Sequence, residues 1–311
     1  MQRNENCNEK NFSKMRPEND LRDWLLLQSI EGLGARTYTK LIERFGSPQA
    51  AMQATKEQLL AIPRFPKKVA EQMPALAERR DGIEQLLCTL QDQGVHFTTM
   101  WHEDYPEILR NITDPPPVIS LYGKFTEGDA RAVAIVGSRN ASPRGLEIAE
   151  GFGQRLAAAG VTVVSGYAKG IDTAGHLGAV RGDGRTIMIL SHGINHFRLR
   201  DAGFESVDYL KSHGVILSEY FPTMTWTAGA AMARNRLVVG LAKAVLVVEC
   251  GVKSGTMDTA ERTQKAGKPL FVVEFQKPGE NAAGNVALIK QGALPVRTFK
   301  ELELILEAVA A

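Results

Sequence analysis

The sequence predicts an α/β protein: a doubly wound, mostly parallel sheet preceded by a small all-α domain. Three observations carry this. Over residues 21–93 the apolar side chains recur only at helical spacing. From Gly94 onward, short β-branched runs alternate with amphipathic stretches of helical length. Gly and Pro cluster where one element gives way to the next. A chain of 311 residues suits about two domains on a prior of ~150 residues each, and the larger can bury a full core.

Residues 1–20 are polar and Asn-rich, with no apolar stretch of a signal peptide and no Arg-rich, acid-poor transit bias. They read as a disordered tail. Leu21, Trp24, Leu25 and Ile30 then begin a helical period that Gly32 and Gly34 break. Tyr38, Leu41, Ile42 and Phe45 restart it at i, i+3, i+4, i+7. Gly46-Ser47-Pro48 stops that helix and caps the next. Leu59, Leu60 and Ile62 lead into Pro63-Arg64-Phe65-Pro66, followed by a helix with Val69 and Met73 and a long one from about Ala75 to Gln93. Five short helices are expected over 21–93, with no internal repeat.

Strands are expected at Val95–Thr98, Val118–Leu121, Ala132–Val136, Val161–Ser165, Thr186–Leu190, Val215–Leu217, Ala244–Val248 and Leu270–Val273. Helical segments lie between them at 143–159, 170–181, 203–213, 254–266 and 281–291, and a last helix at Lys300–Val309. Asp114-Pro115-Pro116-Pro117 reads as a rigid bend at the entry to the α/β domain. The expected division is therefore a tail at 1–20, a helical domain at 21–93 and an α/β domain at 94–311.

Composition narrows the function. Hydrophobic residues make up 44% and charged residues 23%, the balance of a soluble folded chain. Lys and Arg number 37 against 35 Asp and Glu, a net +2, which excludes a histone-like polycation. Any nucleic-acid site must concentrate its positive charge locally. Three widely spaced cysteines form neither a disulfide framework nor a metal-type pair, which fits a reducing compartment. With no run of ~18 apolar residues, no membrane span is expected and the location is expected to be cytoplasmic.

Four strand-to-helix turns carry the candidate chemistry. Strand Ala132–Val136 runs into Gly137-Ser138-Arg139, and Ser142-Pro143 caps the next helix. Free backbone N–H groups at a helix start suit a phosphate, and Arg139 adds a forked cation. A tight turn with a surface arginine is the plainer reading. Next, Ser165-Gly166-Tyr167-Ala168-Lys169-Gly170 opens another helix. Neighbouring parallel strands would set Gly166 and Lys169 beside Gly137–Arg139. Asp172 and His176, four apart on one helix face, read either as an acid–base pair or as an internal hydrogen bond that pins the helix.

The third turn is Arg234-Asn235-Arg236, read at the head of a helical segment with Leu237, Val238 and Leu241. It is a phosphate-binding composition, or else a solvated helix end. The fourth, Lys253-Ser254-Gly255-Thr256, opens a helix after a strand but lacks the G-x-x-x-x-G-K spacing of a Walker loop. Four anion-type turns after four strands exceed what turn geometry alone tends to produce. In the helical domain, Gly32-Leu33-Gly34 resembles a helix-hairpin-helix turn. A second candidate hairpin at Ile62–Lys68 loses N–H donors to its prolines, while Arg64, Lys67 and Lys68 keep it basic. DNA binding and a purely structural module both remain open for this domain.

Other chemistries find little support. The first turn has one Gly where a dinucleotide fingerprint needs three, and no acid follows Ser165-Gly166, so no nicotinamide or flavin cofactor is expected. His192 and His196 have no Cys or carboxylate at ligand spacing, so no metal is expected. There is no G-x-S-x-G elbow, and Cys250 reads as packing.

Taken together, IVGSR, SGYAKGIDTAGH, ILSEY (216–220), ARNRLVVGLA and SGTMDTA occur in the order seen in the DNA-processing protein A (DprA, or Smf) family. The resemblance covers roughly 95 to 297, with a looser match over the helical domain. It implies a Rossmann-like domain that binds single-stranded DNA, shields it from nucleases, loads a RecA-type recombinase during natural transformation, dimerises, and is not an enzyme. On the matching positions it implies that Arg139 and Lys169 contact backbone phosphates. It further implies that Arg234 and Arg236 continue the basic groove and that Ser254–Thr256 line its floor.

The chain departs from the family pattern in places. Ala231-Met232 stand where Phe-Pro is usual, so an aromatic base-stacking contact is missing unless Trp226 or Phe221 replaces it. Ser191–His196 replaces a Gly-rich turn, Glu274-Phe275 replaces Pro-Gly, and a member without the winged-helix tail is expected. A divergent member, serving competence or another DNA-processing or defence role, is expected. Two further readings stand beside it. One is a LOG-like nucleoside-monophosphate phosphoribohydrolase, although Thr259 occupies the Glu position of its G-T-x-x-E turn and Glu219 or Glu249 would have to substitute. The other is a sensor that binds a single nucleotide.

Overall fold

The structure, a computed structural model, describes residues 17–199, 201 and 203–310. The chain packs as two compact units. One comprises the described residues up to Ser120 together with Glu219–Phe221, and the other comprises Leu121–Ser218 and the residues from Pro222 onward.

The first unit holds helices α1 (Pro17–Gln28), α2 (Ala35–Phe45), α3 (Pro48–Met52), α4 (Lys56–Leu60), α5 (Lys67–Gln72), α6 (Arg80–Asp92) and α7 (Glu107–Arg110), with strand β1 (His96–Thr99). The tail expected over 1–20 lies outside the described residues as far as 16, and residues 17–20 belong to α1 instead. Residues 21–93 hold six α-helices rather than five. Ser47 caps α3 as expected, and a second start signal intervenes where Thr55 and Gln58 form a capping box for α4. The long helix expected from Ala75 begins only at Arg80, because Pro74 lies in a 3-10 segment over Met73–Arg79. Trp24 anchors the core. Its ring stacks 4.8 Å from Trp101 and 6.1 Å from Tyr38, whose hydroxyl donates to the Trp24 carbonyl at 2.8 Å.

The two candidate hairpins form an internal repeat, where none was expected. The α1–α2 and α4–α5 turns have the same geometry. Leu33 N–H donates to Ile30 O at 3.2 Å, and Phe65 N–H donates to Ile62 O at 3.1 Å. Gly32 (φ 87) and Arg64 (φ 64) occupy the matching left-handed position, where glycine is favoured. Leu27 and Ile30 recur as the buried Leu59 and Ile62, and little else does. Gln72 of α5 clamps the first turn by bonding both the N–H and the C=O of Glu31. Arg64, Lys67 and Lys68 are all exposed around the second turn, and Lys68 Nζ lies 3.9 Å from the Glu31 carboxylate.

Strand β2 (Val118–Gly123) carries the chain into the second unit. There follow β3 (Ala132–Val136), α8 (Pro143–Ala158), β4 (Thr162–Ser165), α9 (Ile171–Arg181), β5 (Thr186–Ile189), α10 (Val207–Ser212) and β6 (Gly214–Ser218). The chain continues through α11 (Ala228–Leu241), β7 (Ala244–Val247), α12 (Gly255–Lys265), β8 (Leu270–Val273), α13 (Ala283–Lys290), β9 (Leu294–Val296) and α14 (Leu302–Ala310). Within this unit the strands run in the order β6-β5-β4-β3-β7-β8-β9 with every pair parallel. The doubly wound sheet is as expected. Ile135, Val163, Leu246 and Phe271 bury one face with Phe152 against α8, α9 and α14. Helices α11 and α12 pack on the central strands as well, with Ala134, Val164, Val245 and Val247 also fully buried. Strand β9 escapes the sequence pattern because it has only three residues, one of them Pro295, a composition suited to a sheet edge.

Helices α8 and α9 approach so closely that a Cβ on Gly178 would overlap the Glu150 backbone. Gly178→Ala is therefore expected to destabilise the unit by about 1–3 kcal/mol or more, read as a lower urea midpoint. An unchanged midpoint would mean that the helices separate freely. At the far edge of α11, Lys268 Nζ donates to the carbonyls of Val239, Gly240 and Ala242 and satisfies the helix C-terminus. No helix among the described residues is long and apolar enough to cross a membrane.

Candidate nucleic-acid interface

Chain order reverses between β3 and β7, which makes their C-terminal ends the topological switch point where ligands of such sheets bind. A cleft of roughly 370 Å³ opens there. It is lined by the turns after β3 and β7 and by one face of α11, with Arg139, Asp172, Trp226, Met232, Arg234 and Thr256 among its walls.

In the first turn, part of the expected amide set is already engaged within the fold. Ser138 N–H donates to Glu249 O at 2.7 Å, and Asn140 N–H to Ser138 Oγ at 3.1 Å. The Glu249 carboxylate then accepts from Ser142 N–H (2.8 Å) and Ser142 Oγ (3.0 Å), while Ser142 Oγ caps α8 by accepting from Gly145 N–H. A buried acid from the end of β7 thus occupies the helix start that suits an anion. Gly137 is packed against Ile171 and the Glu249 carbonyl. Arg139 itself is exposed, with its guanidinium 5.3 Å from the centre of the Trp226 ring.

In the second turn, too, some amides are taken up internally. Ser165 is buried and donates to Ile135 O at 2.6 Å. Gly166 N–H and Ala168 N–H donate to Asp172 Oδ2 at 3.2 and 3.3 Å. Burial pushes the Asp172 carboxyl up, opposed by the Arg234 charge and these amide bonds. Tyr167 takes a left-handed φ of 52 and its ring packs among His176, Phe197 and Phe204. Lys169 stands exposed outside the cleft lining.

Neither reading of Asp172 and His176 as a mutually bonded pair holds. His176 is fully buried and its Nδ1 meets Thr186 Oγ1 at 2.6 Å. Thr186 Oγ1 gives its own proton to Val163 O at 3.0 Å, so the imidazole is the donor. Burial, then the Arg234 charge, pushes the imidazole down to about 3, and it stays neutral.

The arginine triplet is not at a helix start. Helix α11 begins at Ala228, capped by Thr227 Oγ1 accepting from Ala230 N–H at 3.0 Å, and the triplet lies mid-helix. Successive side chains there point in different directions. Arg234 is only 5% exposed, its guanidinium laid where a Gly166 Cβ would stand. Asn235 Nδ2 ties α11 to α12 through Gly255 O (3.2 Å) and Asp258 Oδ2 (3.1 Å). Arg236 is half-buried, donates to Ala233 O at 3.3 Å and does not line the cleft. At the fourth turn, Ser254 Oγ donates to Gly251 O at 2.9 Å and leaves α12 without a side-chain cap. Ser254, Gly255 and Thr256 line the cleft, whereas Lys253 is exposed beyond it.

The sequence profile described as DNA recombination-mediator protein A matches residues 96–308. The chain belongs to that family. A second profile, a SAM-like helix-hairpin-helix tandem, matches residues 25–73, which agrees with the paired turns described above. The chain is 30% identical over 292 residues to Protein Smf of Synechocystis sp., covering 92% of this chain and 72% of that one. The X-ray structure of DNA processing protein A (DprA) from Streptococcus pneumoniae superposes with a TM-score of 0.72 at 26% identity, over 91% of this chain and 97% of that one. DNA processing protein A from Helicobacter pylori, solved for its single-stranded DNA binding mode, superposes with a TM-score of 0.58 at 29% identity, over 68% and 96%. The Rossmann-like fold and the helix-hairpin-helix domain expected from the sequence are those of the DprA/Smf family.

The other candidate residues have settled positions. Trp226 supplies an aromatic at the cleft mouth, while Ala231 and Met232 line it without one. Phe221 groups with the other unit. Glu249 is committed to Ser142, and Glu219 lies in the other unit with its carbonyl accepting from Gln28. His192 and His196 face each other edge-on at 6.3 Å, and the described residues contain no cluster of three metal-type ligands. Cys250 is buried, its thiol pushed up to about 12 mainly by burial. The closing roles of Glu249 and Asp172 were not legible in sequence. Glu249 reaches a turn more than a hundred residues away. Asp172 was read only in relation to His176, as an acid–base pair or an internal hydrogen bond, and not as the acceptor of the turn's amides.

Proposed function

We propose that this chain is a non-enzymatic, single-stranded DNA-binding protein of DNA processing and recombination. It protects the strand and passes it to a RecA-type recombinase, acting in the cytoplasm as a homodimer. The observation that carries the DNA reading is the exposed Arg139 stacked on the exposed Trp226 at the mouth of the switch-point cleft, a phosphate contact beside a base platform. The single-stranded DNA binding for which the Helicobacter pylori relative was solved supports it.

In this reading Arg139, Lys169 and Lys253 take phosphates, and Ser254, Gly255 and Thr256 form the floor. Gly137, Ser138, Ser165, Gly166, Asn235 and the buried Arg234 shape the surface. Arg236 contributes long-range charge, and Arg64, Lys67 and Lys68 offer a second basic patch. A hydrolase would need a carboxylate free to act on a ligand, and Glu249 and Asp172 are both engaged with backbone amides.

Fluorescence anisotropy with labelled oligo-dT and the matching duplex, at two salt concentrations, tests the DNA reading. Tight, salt-sensitive binding that prefers the single strand is expected. Arg139→Ala is expected to weaken binding for all sequences alike and to lower the salt slope by about one unit. No preference for single strands would overturn the reading, and an unchanged slope would remove Arg139 from the interface.

A further inference from the structure

The cleft has a blind inner end. Arg139, Trp226 and Met232 at its rim are exposed, whereas Val136, Arg234, Val238 and Thr259 inside are buried. Its volume, roughly 370 Å³, falls within the ~300–1,000 Å³ range of small-molecule sites. A polymer lying across such a rim can place only one nucleotide inside.

Charge selects the kind of nucleotide. The Arg234 charge acts on the buried Asp172 at the inner end. Arg139 forms no ion pair with any described carboxylate and is held against the indole. A terminal phosphomonoester, with a second pKa of about 6, brings close to two negative charges, where an internal diester brings one. A single rim arginine therefore favours a terminal phosphate, and the indole beside it offers a π-face to the attached base.

We propose that this cleft is a nucleotide-sized pocket for a terminal nucleoside monophosphate, its phosphate at Arg139 and its base against Trp226. The ligand arrives as a free mononucleotide or as the 5′-phosphorylated end of a single strand, and only the second source rests on the DNA reading above.

Calorimetry with dTMP, thymidine and inorganic phosphate tests the first source. Anisotropy with 3′-labelled oligo-dT carrying a 5′-hydroxyl or a 5′-phosphate tests the second. The pocket predicts that dTMP binds at least tenfold more tightly than thymidine or phosphate, or that the 5′-phosphate tightens the oligomer several-fold. Whichever is seen identifies the source. Trp226→Ala, at a position 48% exposed, is expected to weaken that ligand roughly tenfold with an unchanged melting temperature. If both 5′ forms of oligo-dT bind equally and dTMP does not bind, the pocket is overturned while the DNA reading stands. Binding of dTMP without any oligomer binding would keep the pocket and sink the DNA reading. Unaltered ligand binding by Trp226→Ala would overturn the placement of the base.

Discussion

Acidification from pH 7 to pH 4 is expected to remove about 3 kcal/mol of stability from the α/β unit through His176 alone. The imidazole is held at about 3 in the folded unit against an ordinary 6.5. Its contribution is complete above the unfolded value and is lost as pH falls from about 6.5 toward about 3. A tenfold change in a protonation equilibrium is worth about 1.4 kcal/mol, so the full window is worth roughly 5 kcal/mol. Below pH 6.5 the unfolded chain gains a proton that the folded unit, with Arg234 nearby and Thr186 as its partner, does not accept. Asp172 works in the opposite sense. Burial raises its carboxyl above the unfolded value, so its protonation in acid relieves part of the loss. Urea unfolding of the wild type and of His176→Gln at pH 7 and pH 4 reads the effect. The variant should lose markedly less stability on acidification. An equal loss in both would exclude His176 as the cause.

Asp129→Ala is expected to cost about 3–5 kcal/mol and to lower the melting temperature by roughly 10 °C. Asp129 is fully buried in the turn before β3. Its carboxylate receives Arg185 Nε (2.9 Å) and Nη2 (2.8 Å), Thr162 Oγ1 (2.9 Å) and Thr126 N–H (2.8 Å). These bonds join the start of β3 to β4 and to the residue before β5. Removing the acid leaves a guanidinium whose side chain is only 27% exposed without its counter-charge. The double variant Asp129→Ala with Arg185→Met should recover part of the loss, since it removes the orphaned charge as well. A single variant within about 1 kcal/mol of the wild type would show that the network is dispensable. Because Asp129 sits at the opposite end of the strands from the cleft, oligo-dT affinity of the folded variant at low temperature should be unchanged.

The α/β sheet was legible because its central strands are buried on both faces, and such strands read as unbroken β-branched runs whatever surrounds them. Strand β9 was not, because a three-residue edge strand has no second face to declare. The helix caps at Ser47 and Ser142 were legible, and the shared backbone geometry of the hairpins at Gly32 and Arg64 was not. A cap is a short-range hydrogen bond with a residue signature, whereas the left-handed backbone at Arg64 falls on a residue type that does not advertise it. Arg234-Asn235-Arg236 was legible as a cationic cluster and misplaced as a helix start, since Ala228–Ala233 is rich in helix-forming alanine but lacks the apolar period by which the segment was placed at Leu237, Val238 and Leu241.

Residue type and spacing alone dictate where chain direction changes, which turns follow which strands, and that arginine, lysine and glycine gather at the strand ends. Those are local properties, set by backbone freedom and side-chain chemistry within a few positions. Which of the four candidate anion segments face outward, and that Arg234-Asn235-Arg236 lies within a helix and not at a turn, is settled by long-range packing instead. The folded chain brings Glu249 to Ser142, turns Arg234 inward over Gly166 and leaves Arg139 outward on Trp226. Strand order places β7 beside β3, and that neighbourhood, rather than any run of residues, selects which acid closes which helix end.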